Sequence, residues 1–264
     1  MSYKHIVFEE SDGLALLTLN RPTALNALCV EMLAELNDAL DDIRDEGRCR
    51  ALLMAGAGRA FCSGADLVKG TGAGSTAGRF DAGRILEIQL NPLIERLNAL
   101  PMPVVAAVHG AVAGAGCSIA LAADIVISSR SAFFMLAFTK VGLVPDAGAT
   151  WLLPRLVGRG RANVMMFLAE KIGAEKALEW GLVYQIADDE HLMTKAQALA
   201  RGLADGPTCA FSLLRQALRS SGSSSLSEAL QLERSLQRQA GLTKDFTEGA
   251  AAFREKRKPR FSGI

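Results

Sequence analysis

Three short stretches carry residue types that could do chemistry. The first is a lone acid, Asp146, set between Pro145 and Ala147-Gly148 near the end of a long apolar segment that starts at Pro101. A carboxylate in such surroundings costs free energy to bury unless it is paired or used. The other two are small-residue turns, Ser63-Gly64-Ala65-Asp66 and Gly114-Ala115-Gly116-Cys117. Backbone N–H groups left unpaired at such turns are free to point at an oxygen. Two of them converging on one carbonyl would make an oxyanion hole. Two ordinary turns would look the same, and spacing does not choose between these readings. Asp146 has an ordinary reading too, as an N-cap for a helix over residues 148–156.

Other chemistries fit poorly. Residues 104–108 followed by Gly110, Gly114 and Gly116 suggest a dinucleotide-binding turn, but the third small residue is missing and no acid follows at the ribose-binding distance. Residues 70–78 lack the Lys-Ser/Thr ending of a phosphate loop. His5, His109 and His191 have no i, i+4 partner, so no metal site is expected. No Gly-x-Ser-x-Gly elbow anchors a hydrolase triad. Trp151 and Trp180 are expected to fill core.

The elements that must position these residues alternate in type. Residues 5–8 and 14–19 form a hairpin across Ser11-Asp12-Gly13. Asn26 can cap a helix through residue 43, with Leu28, Met32, Leu36, Ala39 and Leu40 at helical spacing and Gly47 as its stop. Residues 51–55 and 104–108 are buried strands. Residues 69–83, rich in Gly, Ala, Ser and Thr, read as a mobile loop. Residues 84–100 are helical, with a kink or a start at Pro92. Six further helices fall at 161–169, 174–180, 189–204, 207–219, 226–240 and 243–256, with one last strand at 183–186. This is an α/β chain divided into a core over residues 1–200 and a helical C-terminal region over 201–264.

The 264 residues are 50% hydrophobic and carry a net charge of +1, with 29 Lys+Arg against 28 Asp+Glu. That balance gives no electrostatic footprint for nucleic acid or an acidic membrane. The five cysteines, Cys29, Cys49, Cys62, Cys117 and Cys209, are scattered, which suits a reducing compartment. Neither a signal core nor a membrane-spanning run is read, so a cytoplasmic protein is expected.

At these residues the chain resembles the crotonase, or enoyl-CoA hydratase/isomerase, superfamily. The likeness begins at Leu19-Asn20-Arg21-Pro22 and Ala24-Leu25-Asn26-Ala27-Leu28. It continues through Gly58 to Leu67, Pro103 to Gly110, Gly114 to Cys117, Ala122-Ala123-Asp124 and Gly142 to Gly148. It closes with Leu152 to Gly158, Glu248-Gly249, Ala252-Phe253 and Lys256-Arg257-Lys258-Pro259. The resemblance implies a crotonase-like spiral of ββα units with a helical C-terminal trimerisation region. It implies homotrimers, stacked in some members as hexamers, and an acyl-CoA thioester substrate with no separate cofactor. The amides of Ala65 and Ala115 would form the oxyanion hole. CoA would lie along Arg21, Ala24, Ala65, Asp66 and Leu67, with Phe253 and Lys256 reaching in from a neighbour.

The chain departs from a hydratase at two places. Hydratases similar to it carry Glu residues where this chain has Ser118 and Phe138. Asp146 instead matches the acid of several isomerases and of a dehalogenase of this superfamily, and residues 138–146 resemble one of its isomerases. The implied pocket is Ser118, Phe138 and Val144 around Asp146, with Leu143 and Pro145 desolvating the carboxyl. An isomerase is therefore expected. A hydratase holding water on backbone and Asp146 is the alternative, and a non-catalytic CoA- or RNA-binding member is a more distant one.

Overall fold

A computed structural model describes residues 3–67 and 81–264. Most of the expected loop over 69–83 lies outside the described residues.

The N-terminal hairpin pairs β1 (Ile6–Ser11) with β2 (Leu14–Leu19) in antiparallel register. Helix α1 spans Val30–Glu46 and leads to β3 (Ala51–Gly56). After the gap, α2 (Ala82–Ile85), a π-helical turn (Leu86–Leu90) and α3 (Asn91–Ala99) run end to end, with Pro92 in the first turn of α3. The π turn directly before Pro92 takes up the break that a proline without an N–H makes in a continuous helical run. Then come β4 (Val104–Val108), β5 (Ala111–Ala113), α4 (Ala115–Leu121), β6 (Ile125–Ser129) and β7 (Phe133–Met135). A 3₁₀ turn (Ala137–Val141) precedes α5 (Ala149–Asn163), and a second π turn (Val164–Leu168) follows it. The chain finishes with β8 (Ile172–Gly173), α6 (Ala174–Glu179), β9 (Gln185–Ala187), α7 (Leu192–Ala204), α8 (Thr208–Ser221), α9 (Leu226–Ala240) and α10 (Lys244–Glu255).

Six strands form one sheet in the order β1-β2-β3-β4-β6-β9, parallel from β2 onward. Strands buried on both faces need apolar residues at consecutive positions, which is what Ala51 to Met54 and Val104 to Val108 supply. Side chains alternate between two cores. Leu52, Met54, Val104, Ala106 and Val108 face a large cluster with α1 and α3. Leu53, Val105, Ala107 and Ile127 face α7, whose Ala196, Ala200 and Ala204 present a flat stripe at helical spacing. A second, three-stranded sheet (β5-β7-β8) stands apart from the first.

Asn26 does not cap a helix. The N-cap of α1 is Cys29, with no side-chain cap bond. Asn26 is fully buried and acts as a loop brace: its amide donates to the carbonyls of Ala57 and Ala60 at 2.9 and 2.8 Å and its Oδ1 accepts the Arg21 N–H at 2.8 Å. Trp151 does not fill core either. It is 47% exposed, with the Arg155 guanidinium 4.0 Å from its ring centroid. Trp180 is partly buried and packs against the main core.

The C-terminal helices are latched to the core by two arginines. Arg50, beside β3, donates to Gly206 O at 2.6 Å, Thr208 Oγ1 at 3.0 Å and Phe261 O at 3.2 Å. Arg215 on α8 is buried, donates to Leu97 O at 2.7 Å and is ion-paired with Asp124. Helices α8 and α9 pack on each other but leave Leu214, Leu218, Leu226 and Leu230 more than half exposed.

Candidate active site

The two small-residue turns lie against each other. A side chain placed on Gly114 would come within 3.4 Å of the Gly64 α-carbon, and one on Gly64 within 3.1 Å of Ala113 O. Both glycines adopt left-handed φ, +101° at Gly64 and +51° at Gly114, which only glycine reaches at little cost. Ladder bonds hold each turn. Leu28 N–H donates to Gly64 O at 2.8 Å and Asp66 N–H to Leu28 O at 2.9 Å, so Ala65 is the bridge residue whose own amide faces away from Leu28. On the other side Gly114 N–H donates to Met135 O at 2.9 Å and Ala113 N–H to Cys62 O at 2.9 Å.

Ala115 is the first residue of α4, so its amide has no carbonyl within its own helix. Ala115 is buried and Ala65 is exposed. The turn at Ala65 is pinned by its strand-like bridge to Leu28. Cys62 fills the space between the two turns. Its thiol donates to Asn26 O at 3.1 Å and accepts from Gly64 N–H at 3.4 Å. A side chain on Gly116 would strike the Cys62 sulfur at 2.5 Å. Burial pushes the Cys62 thiol up to about 12, so it stays a protonated donor.

Asp146 lies after the 3₁₀ turn. The N-cap of α5 is Gly148, with no side-chain cap bond, so the helix-cap reading of Asp146 fails. Its Oδ1 is buried and, among the described residues, has no hydrogen-bond partner. Desolvation pushes the carboxyl up to about 6. Its main-chain carbonyl accepts Ser118 Oγ–H and Ala149 N–H, both at 3.0 Å. Ser118 itself is fully buried on α4. Of the apolar residues expected to cover the carboxyl, Phe138 is buried, but Leu143 is 40% and Val144 79% exposed. Those two side chains face outward.

Of the residues expected along CoA, Arg21 and Asp66 are buried and ion-paired at 2.8 Å. Arg21 also donates to Ala27 O. The pair ties the 21–27 turn to the segment that carries Ala65. Ala24 is half-buried and Leu67 exposed. Phe253 and Lys256, at the end of α10, are exposed, and no contact brings them to Ala65 or Asp146 within one chain among the described residues. The spacing argument against a metal site did not foresee one grouping. His5, Cys29 and Glu31 place ligand atoms within 4.8 Å of one another where the hairpin meets α1. Glu31 has a further polar interaction of its own.

Sequence reasoning missed the Ser118 bond and the role of Cys62. A polar residue inside an otherwise apolar helix, Ala115 to Leu121, was the one signal for Ser118.

The sequence profile of the enoyl-CoA hydratase/isomerase family matches residues 9–263. The chain is 47% identical over 251 residues to the 1,2-epoxyphenylacetyl-CoA isomerase of Escherichia coli (strain K12), covering 95% of both proteins. It is 46% identical over 263 residues to a Rhodobacter capsulatus protein named "Probable enoyl-CoA hydratase", covering 100% of both. The crystal structure of an enoyl-CoA hydratase from Bacillus anthracis superposes with a TM-score of 0.92 at 32% identity, over 99% of this chain and 100% of that one. With a crotonase fold and this match along nearly its whole length, the chain belongs to the enoyl-CoA hydratase/isomerase family.

Proposed function

We propose that the protein is an acyl-CoA isomerase in which Asp146 is the single acid–base group and 1,2-epoxyphenylacetyl-CoA is the substrate. The observation that carries this reading is the buried Oδ1 of Asp146, unpartnered among the described residues, with its carboxyl pushed up to about 6. Such a group is poised to take and return a proton near neutral pH. The substrate assignment is supported by the 47% identity to the Escherichia coli enzyme of that name.

In the proposed mechanism the thioester carbonyl sits between the amides of Ala65 and Ala115. Asp146 removes a proton from the carbon next to the carbonyl, and the electron pair moves into the carbonyl as an enolate. Each amide is worth about 3–4 kcal/mol of barrier to that developing charge. Protonated Asp146 then returns the proton at the far end of the shifted double bond. On an epoxide the same base assists ring opening toward an oxepin, again with no change of mass. CoA is part of the substrate, and the scheme uses no separate cofactor. Arg21 and Asp66 support the CoA-facing segment, along which Ala24 and Leu67 would line the ligand. Phe253 and Lys256 would serve a neighbouring copy in a trimer, and the exposed leucines of α8 and α9 suit burial between copies. A hydratase is the second reading, favoured by the Rhodobacter relative.

The test follows product mass with purified protein. A 3-enoyl-CoA and 1,2-epoxyphenylacetyl-CoA should be isomerised without mass change, and Asp146→Asn should lower that rate by about a thousandfold. Addition of water to a trans-2-enoyl-CoA at a comparable rate would give the second reading.

A further inference from the structure

Ser118 is a residue that the proton-transfer scheme leaves unused, yet its surroundings are specific. It is 0% exposed and lies in the first turn of α4, three positions after Ala115. Its hydroxyl donates at 3.0 Å to the main-chain carbonyl of Asp146, 28 residues further on. That carbonyl also accepts the first amide of α5, from Ala149, at 3.0 Å. Asp146 is therefore gripped by its backbone while its Oδ1 stays free of protein partners among the described residues.

The turn it grips is strained. Ala147 and Gly148 are consecutive left-handed residues, with φ of +50° and +78°. Alanine adopts that conformation only where the surroundings over-determine it. The Ser118 bond is one of the groups that does so. It runs from the helix turn that presents the Ala115 amide to the residue that presents the carboxylate. The hydroxyl thus ties the base directly to the helix turn that carries one oxyanion donor.

We infer that Ser118 is a positioning residue for the isomerisation, holding the main chain of Asp146 in register with the Ala115 amide. The inference rests on the reading of Asp146 as the base. A displacement of about 1 Å at a reacting group typically costs about a hundredfold in rate, so the bond acts on the chemical step more than on substrate binding.

The test measures kcat, KM, the pH profile and thermal melting for Ser118→Ala, Ser118→Thr, Ser118→Cys and Asp146→Asn, with the 3-enoyl-CoA and 1,2-epoxyphenylacetyl-CoA. Ser118→Ala should lower kcat by about ten- to a hundredfold, leave KM within about twofold, and move the acid limb of the pH profile. Ser118→Thr, which keeps the hydroxyl, should recover most of kcat. Ser118→Cys keeps the size with a poor donor and should behave like Ser118→Ala; it carries the test if the alanine variant does not fold. Parent-like kcat and an unmoved acid limb in Ser118→Ala or Ser118→Cys, with only the melting temperature lowered, would overturn the inference while Asp146→Asn is inactive. Parent-like turnover in Asp146→Asn would instead overturn the base assignment and the inference with it.

Discussion

The two halves of the candidate site are built on opposite plans. The paired turns at Gly64 and Gly114 are held by ladder bonds to Leu28, Met135 and Cys62, by a buried ion pair, and by the close packing of Cys62 against Gly116. The segment that presents Asp146 is gripped at one carbonyl, is flanked by the outward-facing Leu143 and Val144, and leaves a carboxylate oxygen without a partner among the described residues. The difference follows from what each half must do. Donors that stabilise developing charge work best when they need not reorganise. A base must be short of hydrogen bonds to be reactive.

Breaking the locked half should cost the most. Arg21→Met breaks the buried ion pair with Asp66 from one side, and unfolding titrations should show a loss of about 3–5 kcal/mol. Ala115→Pro removes the amide hydrogen and sets ring carbons where it pointed. Proline is at home in the first turn of a helix, so the expected result is a loss of about 3–4 kcal/mol in transition-state stabilisation with melting nearly unchanged. If Ala115→Pro retained parent kcat, the second amide would have no part in the reaction.

The open half should show the reverse pattern. The Asp146 carboxyl lies above its unfolded value, so the folded state binds more protons than the unfolded state between about pH 4 and pH 6. Its ionisation weakens the fold as pH rises through that window, and the penalty is complete above it. Asp146→Asn should therefore stabilise the protein at pH 8 by about 1–2 kcal/mol, a figure reduced for partial solvent access, and by much less at pH 4. Denaturant midpoints at the two pH values check it. As a baseline, Arg130→Gln removes exposed ion pairs to Glu175 and Asp188 and should leave the denaturant midpoint close to the parent's, because solvent screens such pairs.

Legibility in the sequence divides along the same line. The inner strands β3 and β4 are readable because both faces are buried and the apolar runs are continuous. The second sheet was not, because β5, β7 and β8 have three, three and two residues, too few for any period to show. Asn26 was misread because a side chain that suits a helix cap equally suits bracing two loop carbonyls. The glycine turns were legible as turns, but their contact depends on two bridges between distant segments, Leu28 with Ala65 and Cys62 with Val112. Without the family likeness their convergence could not be read. Asp146 stood out because an acid among apolar residues is rare, whereas the absence of a cap bond became evident only once Gly148 took that place.

The order of strands in the main sheet has a consequence for how the chain reaches this state. Each strand from β1 to β9 in that sheet is laid beside the one most recently added to it. A chain emerging from the N-terminus can therefore extend the sheet progressively, without waiting for a late strand to be inserted between early ones. The arginine latches cannot close until residues some hundred positions apart have both been made, as in the bond from Arg215 to Leu97 O. The helical end should thus dock last, onto a spiral already wound, and the apolar faces of α8 and α9 are the surfaces exposed longest to wrong partners on the way.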